Sequence, residues 1–308
     1  MGSNHARVAA ASGNAEIAVV VDPDETRARQ LADKHHCGWA ATLDHVDGID
    51  LAVVASATAT HETCAIPLLA AGVPTLVEKP LAQDLASVDR IIKAAASGQS
   101  PLMCGFVERF NPIVMTMQRV IEDEPIHFLA VRHSPVVPRI QTSVVHDLLI
   151  HDADLAVRFG RSDADAVSSM MWSESANGSI ELADAVVHFQ SSMIANLSAS
   201  RVGQRKTREI RLTTPSVLVE LDLLRQDITV YRNVRLEQIV GDTITYREQT
   251  MIDIPFVRHG GEPLALQFGH FMSLVRDEAD VVRERDSLFE PHRIVDLVLR
   301  RGDRSAGR

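Results

Sequence analysis

Two short apolar runs, Leu51 to Ala55 and Val73 to Val77, bracket a helical pattern from His61 to Ala71 that Gly72 closes, which leaves this chain few folds to choose from. The second run is apolar almost throughout, as a strand covered on both faces must be. Strand, helix, strand is a βαβ unit, whose strands are parallel and whose crossover is right-handed in nearly every case. Pro80 cannot donate to a sheet ladder, so the second strand stops before it. Glu78 and Lys79 then stand at a carboxyl end of a parallel sheet, the side on which such sheets take ligands. They read either as two solvated charges or as an ammonium group held where chemistry can occur.

The same alternation runs up to about Cys104, with helices Asn4 to Ala11, Glu25 to His35 and Leu85 to Ala96 between strands Ile17 to Val21 and Leu102 to Cys104. Beyond Ile126 the rhythm becomes strand-like at short intervals: Ile126 to Arg132, Ala166 to Met171, Ala183 to Phe189, Ile194 to Ser200, Glu209 to Thr213, Val217 to Leu221 and Ile228 to Tyr231. These runs predict an antiparallel sheet. Helical patterns at Leu264 to Val275 and Pro291 to Leu299 follow, and the tail from Arg300 to Arg308 reads as disordered. The expected fold is α/β joined to α+β, with a parallel-sheet, Rossmann-like domain over residues 1–108 and an antiparallel-sheet domain over 109–308.

The first helix begins almost at Met1, so the usual opening strand and its Gly-x-Gly turn are not in the chain as written. Asp22 nevertheless ends a strand about twenty residues after Gly2, the spacing of the third glycine and the ribose acid in a dinucleotide fingerprint. Asp22 reads otherwise as a turn residue before Pro23. The expectation is that the recorded start lies inside the glycine loop, with a strand upstream.

A chain of 308 residues can bury a full core in two domains. The formal charge of −10, with Lys and Arg evenly scattered, argues against nucleic acid or an anionic membrane as the partner. Cys37, Cys64 and Cys104 are odd in number and far apart, which suggests neither disulfides nor a thiolate metal site and fits the reducing cytosol. No apolar stretch approaches the about 18 residues of a membrane span, and no signal pattern opens the chain.

Asp147, His151, Asp154 and Arg158 fall at helical spacing, so a helix from about Ser143 to Phe159 lines them along one stripe beside the apolar Val144, Leu148, Leu149, Leu155, Ala156 and Phe159. A half-buried His151 with a carboxylate one turn away can serve as a general base, and the bland alternative is a surface helix with i,i+4 pairs. His146, His151, Asp152 and Asp154 make a poor metal set, since Asp152 projects toward the apolar side and further histidines are wanting; no metal is expected. His35 and His36 sit at a helix end, where they complement its dipole. No Gly-x-Ser-x-Gly elbow supports a serine nucleophile.

Taken together, Thr75-Leu76-Val77-Glu78-Lys79-Pro80-Leu81-Ala82, Asp147-Leu148-Leu149-Ile150-His151-Asp152-Ala153-Asp154, and Asn4-His5-Ala6-Arg7 with Asp22 resemble the Gfo/Idh/MocA oxidoreductases nearly end to end. That resemblance implies an NAD(P)-dependent dehydrogenase acting on a sugar, cyclitol or nucleotide sugar. It also implies a Rossmann domain and an open-faced sheet that often forms the oligomer interface, hence a homo-oligomer such as a dimer or tetramer. Lys79, His151 and Asp147 would be catalytic, with Lys79 touching both substrate hydroxyl and nicotinamide ribose, and His151 exchanging the hydroxyl proton. Gly2, Asn4, His5, Asp22, Ser56, Thr58, His61, Glu78 and Lys79 would line the cofactor, and Asp22 would favour NAD over NADP. Ala57 stands where the family has a proline. Gly105-Phe106-Val107-Glu108-Arg109-Phe110-Asn111-Pro112 looks like the version found in UDP-N-acetylglucosamine 3-dehydrogenase-like members. Arg109 and Asn111, with Asp147 and Asp154, would then face substrate; the other reading of Arg109 and Asn111 is a hinge and a helix cap before Pro112. Against the enzyme stand a non-catalytic regulator that responds to sugar or dinucleotide, and an inactive truncated dehydrogenase.

Overall fold

In a computed structural model that describes residues 1–45, 47–136, 142–173, 179–240, 243–257 and 260–302, the chain divides into two compact units. One is Met1–Phe110 with Gly261–Arg293, and the other is Asn111–Gly260 with Ile294–Arg308. Among the described residues no helix is long and apolar enough to cross a membrane.

The first unit alternates as α1 (Gly2–Ala11), β1 (Val19–Val21), α2 (Glu25–His35), β2 (Gly38–Ala40), β3 (Ala52–Val54), α3 (His61–Ala70), β4 (Thr75–Val77), α4 (Leu85–Ser97) and β5 (Leu102–Cys104). The strands are parallel but form two sheets, β1-β2 and β3-β4-β5, with β4 central in the second. Thr75, Leu76 and Val77 are fully buried, as their apolar run requires. Carboxylate caps set where helices begin: Asp24 accepts from Arg27 N–H at the start of α2, and Asp84 from Ser87 N–H at the start of α4. β2 was not anticipated, because Gly38-Trp39-Ala40 is too short to show a period; Arg29 lies over the Trp39 ring at 4.4 Å.

Residues 261–293, read from sequence as part of the second domain, pack into the first unit. Their α7 (Pro263–Val275) presents Leu264, Phe268, Phe271 and Met272 to Val8, Leu76, Met103 and Phe110, one continuous apolar cluster. A short α8 (Val281–Asp286) follows, and then α9 (Phe289–Gly302).

The second unit opens with α5 (Pro112–Val120), capped by Asn111 with Pro112 in the first turn. Its strands are β6 (His127–His133), β7 (Ala164–Trp172), β8 (Leu182–Phe189), β9 (Ile194–Ser200), β10 (Thr207–Thr213), β11 (Val217–Asp222), β12 (Asp227–Val240) and β13 (Thr243–Asp253), ordered β13-β12-β11-β10-β6-β9-β8-β7. The sheet is not wholly antiparallel as expected, because β6 and β9 pair in parallel. The chain between them holds a helix and a hairpin, long enough for a crossover. β12 extends far beyond the expected Ile228 to Tyr231, since Arg232, Asn233, Arg235, Glu237 and Gln238 break up the continuous apolar run that marked its start. One sheet face is covered by α6 (Ile150–Gly160), whose Phe159 stacks on Phe128 at 6.0 Å. A buried ion pair joins them, Arg132 Nε to Asp152 Oδ2 at 2.9 Å and Nη2 to Oδ1 at 2.8 Å. The opposite face leaves Met170, Trp172, Val186 and Ile194 exposed.

The helix expected over 143–159 is not regular. Val145–Leu149 forms a π turn, which widens the spiral around Asp147 before α6 begins.

Candidate functional site

In the first unit, Ser56 and Thr58 follow the carboxyl end of β3, and Glu78 and Lys79 follow that of β4. β4 ends at Val77, and Glu78 N–H still donates to Val54 O at 2.8 Å. From there the chain turns sharply through Lys79, Pro80 and Leu81, with the Lys79–Pro80 bond cis. A buried turn that has left the sheet must find partners for its backbone groups elsewhere. Lys79 N–H donates to the Glu78 carboxylate at 3.1 Å, and Leu81 N–H donates to His292 Nε2 at 2.9 Å. The Pro80 carbonyl lies 2.9 Å from His61 Nδ1.

Glu78 is held in turn by α1. His5 Nε2–H donates to Glu78 Oε1 at 2.7 Å, with both side chains buried. Gly105 makes room for that carboxylate, because a Cβ there would stand 2.8 Å from Glu78 Oε2 and 3.0 Å from Glu78 Cα. Lys79 itself is half-buried at the turn. Three of the nine expected cofactor residues, His5, His61 and Glu78, therefore hold the turn that carries Lys79.

The turn after β3 supplies Ser56 and Thr58. Ser56 O lies 3.2 Å from His61 Nε2, and Thr60 Oγ1 donates to Ser56 Oγ at 2.8 Å. Gly2 opens α1 close to the end of β3, where an added Cβ would meet only Ala55 Cβ at 4.0 Å. Asn4 is exposed in the same first turn. Asp22 follows β1 directly, with its N–H on Ala40 O and its Oδ1 accepting from Asp24 N–H. A helix N-terminus beside a strand end, a carboxylate after β1 and a hydroxyl-bearing turn after β3 together fit a dinucleotide.

Arg109 and Asn111 are placed otherwise than a substrate-facing role requires. Arg109 is buried, with Nη1 donating to Glu284 Oε1 at 2.9 Å and to Ser287 Oγ at 3.0 Å, and its guanidinium lies over the Phe106 ring at 5.0 Å. Asn111 is the cap of α5, accepting from Ile113 N–H. Glu284 lies far along the chain, so no local pattern announces the pair.

In the second unit, His151 and Asp154 are buried on α6 and Asp147 is half-buried in the π turn. The neighbouring Asp152 carboxylate is engaged by Arg132. His146 is half-buried in that turn; burial pulls its imidazole pKa down, against a smaller upward pull from Asp296. Among the described residues no group of three or more His, Cys, Asp or Glu side chains is arranged to hold a metal ion.

Residues 1–106 match the family model of the Gfo/Idh/MocA oxidoreductases, described as an oxidoreductase family with an NAD-binding Rossmann fold. The chain is 28% identical over 236 residues to the UDP-N-acetylglucosamine 3-dehydrogenase of Acidithiobacillus ferrooxidans, covering 75% of this chain and 74% of that protein. It is 33% identical over 171 residues to inositol 2-dehydrogenase 2 of Saccharopolyspora erythraea, covering 51% of this chain and 50% of that protein. A solved structure of the Acidithiobacillus ferrooxidans dehydrogenase superposes with a TM-score of 0.82 at 24% identity, over 97% of this chain and 95% of the other, a likeness of fold.

Proposed function

From the match of residues 1–106 to the Gfo/Idh/MocA family, we propose that the chain is an oxidoreductase of that family and moves a hydride between a ring carbon bearing a hydroxyl and a nicotinamide. The substrate class is a sugar, cyclitol or nucleotide sugar, the last favoured by the longest of the matches described above. One observation carries the reading: Lys79, a half-buried amine at the carboxyl end of the central strand β4, whose turn is tied to α1 by the buried His5–Glu78 pair. An ammonium group so placed donates to the hydroxyl oxygen of a substrate and stabilises the negative charge that grows there as the proton leaves.

The nicotinamide, when bound, supplies the hydride acceptor. Gly2 and Asn4 open the helix whose N-terminus favours the pyrophosphate, and Asp22 accepts from ribose hydroxyls while repelling a 2′-phosphate, so NAD is preferred to NADP. Ser56, Thr58 and His61 shape the turn beside the cofactor. His151 takes the hydroxyl proton, and Asp147 and Asp154 bind substrate and orient the imidazole. In this reading the enzyme is cytoplasmic, and copies pair through the open sheet face that carries Met170, Trp172, Val186 and Ile194.

The test is to follow NADH absorbance with UDP-N-acetylglucosamine and with myo-inositol as trial substrates. Lys79→Ala and His151→Ala each lower turnover by about 100-fold or more with the fold intact. Unchanged turnover in either variant removes that residue from the mechanism. Sedimentation velocity decides whether the chain self-associates.

A further inference from the structure

The Glu78-Lys79-Pro80-Leu81 turn contains one backbone donor that neither the sheet nor its own side chains satisfy. Glu78 N–H goes to Val54 O, Lys79 N–H goes to the Glu78 carboxylate, and Pro80 has no N–H. Leu81 N–H remains, on a residue with no exposure, and its acceptor is the Nε2 of His292, from a helix 211 residues away in sequence. The other ring nitrogen, Nδ1, lies 2.6 Å from Leu288 O. An amide N–H can only donate and a carbonyl oxygen can only accept. Together they select one neutral tautomer, with the proton on Nδ1 and the lone pair of Nε2 aimed at Leu81. His292 is buried, and its ring packs 5.6 Å from that of Phe106, which limits its freedom to turn away.

We propose that His292 is a positioning residue for Lys79: by accepting from Leu81 N–H it fixes the far side of the turn, while His5 fixes the near side through Glu78. The proposal rests on the reading of Lys79 as the amine that meets the substrate hydroxyl. It separates the work of the two sides. His5 and Glu78 bind the turn to α1, whereas His292 binds it to α9, so loss of the imidazole acceptor releases the N–H side of the Pro80–Leu81 peptide, whose carbonyl stays at His61, without touching the sheet. A misplaced amine costs turnover more than binding, because reaction depends steeply on geometry.

Two substitutions divide the possibilities. His292→Leu keeps bulk but removes the acceptor, and His292→Gln returns a carboxamide oxygen to roughly the same reach. Amide hydrogen exchange is measured on the apo protein for the peptide holding Leu81, with the Leu76 amide in β4 as internal reference. Steady-state kinetics follow with the trial sugars, and Lys79→Met serves as control. The expected result is that His292→Leu speeds exchange at Leu81 by about tenfold relative to Leu76. The same variant lowers kcat by about tenfold or more with KM nearly unchanged, and His292→Gln restores both. Wild-type exchange at Leu81 in His292→Leu, or equal losses in the Leu and Gln variants, overturns the proposal. If His292→Leu does not fold, His292→Gln decides alone: retained protection and kcat support the proposal, and their loss overturns it. Full turnover in Lys79→Met instead removes the reading of Lys79, and the exchange data still report on the hydrogen bond.

Discussion

His5 and Glu78 form a buried pair, 2.7 Å apart, that joins the first turns of α1 to the residue directly before Lys79. The pair exists because Gly105 has no side chain. The Glu78 carboxylate and its Cα occupy the volume that a Cβ at position 105 would need. The helix α1 and a strand-end lysine are thus mechanically connected through one carboxylate.

Gly105→Ala puts a methyl group 2.8 Å from Glu78 Oε2 and 3.0 Å from backbone, neither of which can yield cheaply. The expected outcome is a loss of about 1 to 3 kcal/mol in urea denaturation, the range for overpacking a filled interior. A variant as stable as the parent means that Glu78 swings aside at no cost, and the pairing with His5 is then not a constraint.

Asp22→Ala removes the carboxylate that follows β1. If Asp22 faces the adenosine ribose, NADPH binding improves relative to NADH by about tenfold, because a repulsive element has gone. Fluorescence titration with the two reduced dinucleotides reads this ratio directly. A ratio equal to that of the parent places the preference elsewhere.

Gln267, on α7, has no exposure, and neither its Oε1 nor its Nε2 has a hydrogen-bond partner among the described residues. A buried amide without partners is a standing cost. Gln267→Met keeps the shape and should raise stability by about 1 to 2 kcal/mol in chemical denaturation. A loss of stability instead would show that bound water serves the amide.

Asp84 caps α4, accepting Ser87 N–H at 2.9 Å and Ser87 Oγ–H at 3.0 Å, and these bonds hold its carboxyl below the usual aspartate pKa. Because the folded-state value is depressed, the stabilisation is full above the ordinary value and is lost as pH falls through the depressed one. Asp84→Ala should cost about 1 kcal/mol or less at neutral pH, the carboxylate being exposed, and progressively less in acid. Thermal melts of both proteins from pH 7 down to about 3 check the convergence; a gap that stays constant assigns the loss to helix propensity.

Much of the first unit was legible because its signals are local. Four of its strands and α1 to α4 stand close to where apolar runs, caps and Gly72 put them, and the Glu78-Lys79-Pro80 turn falls at the end of β4 as Pro80 requires. The stripe of Asp147, His151 and Asp154 was visible as a spacing, but the π turn through Asp147 was not. Such a turn leaves the residue types of the helix unchanged and alters only which carbonyl each amide meets. Arg109 reads as a substrate contact until Glu284, 175 residues onward, is seen to engage it.

By itself, then, the sequence determined the βαβ framework, the strand-end lysine and the family resemblance, since periodicity, proline and glycine act over a few residues. Tertiary structure alone decided that residues 261–293 complete the first unit, that β6 and β9 run parallel, and that His292 meets Leu81. Each of these depends on where a distant segment returns to pack. That choice is made by burial summed over whole faces, and no short motif records it.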